Sequence, residues 1–180
     1  ELKQLQERIG LLGFYSQIMS EDEFQELSAN PNAVSTLFHR LAKERLQSWV
    51  DLAETRLKGT GIRCFVTGGN DDDPEVLEAI QGAGRESFFA CEGQVVTIDE
   101  NHTMASVGFS NPTPWKTPRE IPDEKLAEII EGMCAQVKDF SHCVFNFHVP
   151  PLDSTLDSCP KLDWSTDPPT PIVSGGQIVF

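Results

Sequence analysis

Residues 62–73, Ile62-Arg63-Cys64-Phe65-Val66-Thr67-Gly68-Gly69-Asn70-Asp71-Asp72-Asp73, carry an apolar run into two glycines, an asparagine and three aspartates. The run 62–67 is β-prone and mostly apolar, as a strand covered on both faces would be. Pro74 restarts the chain as a helix over 74–80, with Asp73 as its N-cap. Strand, glycine turn and helix in succession are the repeating unit of α/β layers. Three like charges side by side in a tight turn repel one another unless solvent or a cation answers them. The rest of the chain decides which.

Upstream, the first sixty residues read as helices. Leu2, Leu5, Ile9 and Leu12 share one face at helical spacing. Ser20 to Glu23 has capping-box form, and Asn30-Pro31 is a cap followed by proline at the first helical position. Beyond it, an apolar stripe runs from Val34 through Phe38, Leu41, Trp49 and Val50 to Leu57, ended by Gly59 and Gly61. Downstream, 86–90, 94–98 and 103–109 read as short strands, the last two joined by a turn at Asp99-Glu100-Asn101-His102. A helix opens at Pro122 with Leu126, Ile129, Ile130, Met133, Cys134 and Val137 on its apolar face. Residues 143–147 form a second buried-strand candidate, ending at His148-Val149-Pro150-Pro151. Residues 150–171 read as a proline- and aspartate-rich loop, and 175–180 as a closing strand. The expected class is therefore α/β: a layered sheet flanked by helices over 61–180, with a helical insertion over 1–60.

The totals narrow the function. With 180 residues, 39% hydrophobic residues, 11 Phe and 3 Trp, the chain can bury a core. A net charge of −14 repels a phosphate backbone, which argues against broad nucleic-acid binding. No apolar run is long enough to span a membrane. The five cysteines contain no Cys-x-x-Cys pair, and Cys64, Cys134 and Cys143 sit in apolar runs, the pattern of buried reduced thiols in a cytoplasmic protein. The chain opens mid-helix without methionine and stops on a strand, so a piece of a longer protein is expected.

Two buried strands end in unusual polar punctuation, one at Asn70 and the aspartates, the other at His148. In open α/β sheets, ligands bind beyond the carboxyl ends of the strands. If the two strands are parallel neighbours, these side chains share one crevice. An amide oxygen, carboxylates and a neutral imidazole suit manganese, iron or zinc. The plainer readings are a solvated turn with a helix cap and a hydrogen-bonded structural histidine. A calcium loop fails on spacing, since the twelfth position from Asn70 is Gln81 rather than glutamate. His39 reads as packing or surface, Trp49 and Trp115 as packing, and His102 and His142 as histidines without a partner.

Gly69-Asn70-Asp71-Asp72 resembles the Gly-Asn-His-Asp/Glu motif of calcineurin-like metallophosphoesterases, with Asp71 where histidine usually stands. His148, followed by Val149-Pro150-Pro151, is similar to that family's isolated metal-binding histidine. Gly108-Phe109-Ser110-Asn111-Pro112-Thr113-Pro114-Trp115 resembles the loop between the two motifs. The resemblance covers residues 60–180 and implies part of an αββα sandwich. It also implies two divalent ions (Mn, Fe or Zn) that activate water for in-line attack on a small phosphate ester, monoester or diester. Asn70 and His148 are then metal ligands, and Asp72 orients its neighbours. Asp71 takes the place of the residue that helps the leaving group depart, which a carboxylate does only with a raised pKa. The family's upstream Asp-x-His and Gly-Asp-x-x-Asp and its downstream Gly-His-x-His do not occur in these 180 residues. The expectation is a hydrolase whose central piece, taken alone, is inactive. The alternative is a non-catalytic regulatory or interaction domain that keeps the fold.

Overall fold

The apolar periodicities above become five α-helices and a set of short strands in a mixed α/β chain, seen in a computed structural model that describes residues 1–81 and 85–178. The chain divides into two units by packing. One comprises Glu1–Ile62 with Glu75–Ser87, and the other Arg63–Pro74 with the residues from Phe88 onward.

In the helical unit, α1 (Leu2–Leu11), α2 (Glu21–Ser28) and α3 (Pro31–Leu57) start where local chemistry places them. Ser20 and Glu23 close the full capping box, and Asn30 Oδ1 accepts the backbone N–H groups of Asn32 and Ala33 at 3.2 and 3.3 Å. The short α4 (Pro74–Leu77) leads into a 3-10 turn, Glu78–Ile80, that packs against α3. There Ala42, Val50, Ala79 and Ile80 are buried. Glu54 on α3 accepts the backbone N–H groups of Glu86 and Ser87 at 2.7 and 3.0 Å, tying the segment after α4 to the long helix. His39 is a surface partner of Glu75, with 3.5 Å between Nδ1 and Oε2. The expected apolar faces of α1 and α3 form but stay largely exposed: Leu2, Leu5, Phe38 and Trp49 each keep more than half their surface.

In the second unit, β1 (Cys64–Val66) pairs parallel with β2 (Phe88–Ala90), and Phe65 stacks on Phe89 at 5.4 Å between centroids. Strands β3 (Val95–Thr97), β4 (Thr103–Val107) and β5 (Cys143–Phe147) form a separate three-stranded sheet in that order. Strands β3 and β4 are antiparallel, β4 and β5 parallel, with Thr103 opposite Cys143. Helix α5 (Asp123–Cys134) buries Leu126 and Met133 against Ala105 and Val107 of β4, with Ile129, Ile130, Phe109 and Phe147 around them. That is the apolar face its 3.6-residue period predicts.

Several expectations are corrected. Strands β1 and β5 are not neighbours, because each pairs with a different partner in a different sheet. Strand β5 is not covered on both faces, since Val144 and Phe145 are exposed. The loop over 150–171 contains a small ladder, β6 (Leu162–Asp163) with β7 (Thr170–Pro171). The closing segment is a hairpin, β8 (Val173–Ser174) with β9 (Gln177–Ile178), turned by Gly175 and Gly176 at positive φ; Val179 and Phe180 lie outside the described residues. All five cysteines are free thiols, and only Cys91 is buried. Burial pushes its thiol pKa up against the hydrogen bond from Ser106. Trp49 and Trp115 are exposed. Among the described residues no helix is long and apolar enough to cross a membrane.

Candidate metal centre

Although their strands belong to different sheets, Asn70 and His148 meet. His148 Nε2 lies 2.8 Å from Asn70 Oδ1 across 78 positions of sequence. Two connections bring them together. On one side the Cys91 N–H donates to Val66 O at 3.0 Å and the Gly93 N–H to Ser106 O at 3.0 Å, so the turn after β2 links the carboxyl end of β1 to β4. On the other, the His148 N–H donates to Val107 O at 2.9 Å and carries the β4–β5 ladder one residue past the strand. Gly69 lets the imidazole come close: a Cβ there would stand 2.8 Å from His148 Cε1.

The orientation of the Asn70 amide follows from its other neighbour. Glu120 is a carboxylate and only accepts hydrogen bonds, so the Thr117 hydroxyl, 2.8 Å away, gives it its single proton. The Thr117 oxygen must then accept, and Asn70 Nδ2 donates to it at 2.8 Å. That turns Asn70 Oδ1 toward His148 and makes Nε2 the donor in their contact. Burial pushes the Glu120 carboxyl up, but hydrogen bonds from the backbone and hydroxyl of Thr113, then of Thr117, outweigh it and hold the pKa at about 2. The chain Glu120–Thr117–Asn70–His148 is therefore anchored on a permanent anion.

Beneath it, Arg119 is 4% exposed and fixes the same turn. Its backbone N–H donates to Asn70 O at 2.9 Å, and its guanidinium donates to Gly69 O at 3.2 Å. The guanidinium pairs with Glu92 at 3.0 Å and lies 4.6 Å over the Phe109 ring. Glu92 also accepts the Gly108 N–H at 3.0 Å and a short hydrogen bond from the Thr67 hydroxyl. Gly108 sits so tightly in this joint that a Cβ would run into Gly68 O, 2.5 Å from Glu92 Oε2 and 2.9 Å from Arg119 Nη2.

The remaining expected site residues stand on the same turn. Asp72 Oδ2 accepts the Gly69 N–H at 2.7 Å and closes it. Asp71 is exposed on its outer side. Arg119, Thr117, Glu120 and Glu92 were not singled out by sequence reasoning. A threonine three residues before a glutamate and a lone arginine carry no spacing that distinguishes them from surface residues.

Chemically, Asn70 Oδ1 and His148 Nε2 are two neutral donors facing one point, the kind of pair that borderline divalent ions accept. Both lone pairs become available together only when the imidazole proton sits on Nδ1 instead of Nε2. No family model matches the chain, and neither does any curated protein or solved structure.

Proposed function

We propose that this chain carries part of the dinuclear centre of a metal-dependent phosphoesterase, with Asn70 and His148 as ligands and manganese, iron or zinc as the ions. The observation that carries the reading is the 2.8 Å meeting of Asn70 Oδ1 with His148 Nε2, beyond the carboxyl ends of two strands that do not pair with each other. A bound divalent ion supplies Lewis acidity and lowers the pKa of water at a phosphate ester. The residues of this chain do the positioning. Asp72 closes the turn that presents Asn70, Thr117 orients the Asn70 amide, and His148 shifts its proton to Nδ1. Asp71, exposed at the mouth, favours cations and small substrates over long nucleic acids. Two donors fill only part of the roughly four to six positions such ions take, so the centre needs donors beyond this pair and the 180 residues alone have negligible turnover.

One observation favours a second reading. Asn70 and His148 satisfy each other without an ion, as they would in a regulatory or interaction domain that keeps the fold without the chemistry.

The two readings separate by Mn2+ titration of the chain followed by NMR. Under the first, paramagnetic broadening is selective for the Asn70 amide and the His148 ring, and Asn70→Ala and His148→Ala each abolish it. Metal analysis of the intact protein then shows one equivalent lost in either variant. A His148 ring untouched by Mn2+, or unchanged metal content in both variants, overturns the phosphoesterase reading. Robust turnover of bis(p-nitrophenyl) phosphate by the 180 residues overturns the incompleteness of the centre.

A further inference from the structure

At the opposite ends of β4 and β5 stands a second pair of side chains. The parallel register sets Thr103 beside Cys143, so the residues just before the two strands, His102 and His142, become neighbours. Their rings lie 5.5 Å apart between centroids with planes at 53°. Each follows an aspartate by three residues, giving two Asp-x-x-His turns side by side: Asp99-Glu100-Asn101-His102 and Asp139-Phe140-Ser141-His142. Asp99 caps its turn by accepting the N–H groups of Asn101 and His102, both at 2.8 Å, and Asp139 accepts the Ser141 N–H at 2.9 Å. The same carboxylates take the imidazoles: His102 Nδ1 is 2.9 Å from Asp99 and His142 Nδ1 is 2.8 Å from Asp139.

A carboxylate only accepts, so Nδ1 carries the proton in both rings and a neutral imidazole keeps its lone pair on Nε2. This is the arrangement that orients histidine toward a metal, the carboxylate holding the tautomer and raising the basicity of the ligating nitrogen. The spacing also suits one ion. Two imidazoles ligating at about 2.1 Å with a tetrahedral angle place their centroids about 5.3 Å apart. The His142 ring borders an open hollow of about 330 Å³, lined also by Asn101, Thr103, Gln136 and Asp139, with room for water beside the pair. Lys138 lines the same hollow and opposes a cation, but its side chain is exposed and can hold its charge in water.

We propose that His102 and His142, each oriented by its own aspartate, form a binding site for one divalent transition-metal ion of the zinc or copper class. Imidazole pairs suit these ions better than manganese. The site lies at the amino-terminal rim of the parallel pair, roughly 20 Å along the strands from His148, and depends on neither Asn70 nor the reading given to it.

The test is Zn2+ titration of the chain by calorimetry, with melting followed with and without the ion. The titration is made in the Asn70→Ala/His148→Ala background, which removes any ion at that other pair. The expected result is one equivalent bound and a rise in Tm, since an ion that binds only the folded state stabilises it. His102→Ala and His142→Ala each abolish both effects. Asp99→Asn and Asp139→Asn, which keep an acceptor for the turn, weaken binding about 10-fold or more. Because His102 and His142 are 44% and 51% exposed, the variants fold; His102→Gln and His142→Gln repeat the measurement with polar side chains of similar reach. No zinc binding by the parent chain overturns the site. So does binding that survives His102→Ala or His142→Ala in that background, or that disappears with the Asn70 and His148 substitutions alone.

Discussion

Thr117 Oγ1 lies 2.8 Å from Asn70 Nδ2, and this contact decides which end of the Asn70 amide faces His148. A valine at 117 has nearly the same shape but cannot relay between Glu120 and the amide. Without that relay the amide is free to turn its NH2 group toward the imidazole. On the phosphoesterase reading, Thr117→Val weakens Mn2+ at this pair about 10-fold, the usual scale for losing a partner of a ligand, and Thr117→Ser restores it. Broadening of the His148 ring against Mn2+ concentration measures this. An unchanged affinity in the valine variant removes Thr117 from the relay.

The joint under the turn predicts a steric result. At Gly69 the atom a methyl would meet belongs to the His148 ring, which can rotate away. At Gly108 it is Gly68 O, backbone that cannot give. Gly69→Ala should therefore cost about 1 kcal/mol and displace the imidazole. Gly108→Ala should cost about 3 kcal/mol or more, at the upper end of overpacking penalties. Urea unfolding of the two variants beside the parent tests the order. Equal losses would mean that the 68–108 approach is not tight.

How far the sequence could be read depends on how local each feature is. Ser20 with Glu23, and Asn30 with Pro31, were legible because a cap is made within three residues. The face of α5 was legible because a single helix on a sheet buries the stripe its period marks. The same periodicity in α1 and α3 names a face but does not say whether anything covers it, and Leu2, Phe38 and Trp49 remain in solvent. Strand order was not legible. The runs 62–67 and 143–147 are both mostly apolar, and nothing in either states that their partners are β2 and β4. Asn70 and His148 nonetheless meet, through the turn after β2 rather than through paired strands. His102 and His142 were passed over as lacking partners, because only the register of β4 on β5 makes them neighbours.

The Arg119–Glu92 pair predicts an asymmetry between breaking it and replacing it. With Glu92 removed, the guanidinium at 4% exposure loses the carboxylate it pairs with, and the Gly108 N–H and the Thr67 hydroxyl lose the acceptor they share. Glu92→Ala should destabilise by about 3 kcal/mol, the lower end of the range for an orphaned buried charge, since Glu92 itself is partly in solvent. The double variant Arg119→Met/Glu92→Leu removes both charges and should recover more than half of that loss. A double-mutant cycle by denaturant unfolding checks this. Strict additivity of the two losses would show that the pair is not coupled.

Glu120 gives the pH dependence its sign. Its carboxyl is held at about 2 in the folded chain against an ordinary value of 4.5, so the folded state binds the proton less readily than the unfolded one. A group depressed in this way contributes stability that is fully present above pH 4.5 and is lost as the pH falls from there toward 2. Asp99, Asp139 and Asp163 are lowered as well and act in the same direction, Asp99 chiefly through the Asn101 N–H and Asp139 chiefly through His142. Glu120→Gln removes one titrating group and leaves the other three. Its unfolding free energy should fall less steeply with acid between pH 4.5 and 2 than that of the parent, and the two profiles should converge toward pH 2. Because glutamine can accept from Thr117 but carries no charge, the difference between the profiles isolates the anion that anchors the Thr117–Asn70 relay. Parallel profiles across that window would mean that the carboxylate of Glu120 is not held by Thr113 and Thr117 in solution, and the orientation assigned to the Asn70 amide would lose its anchor.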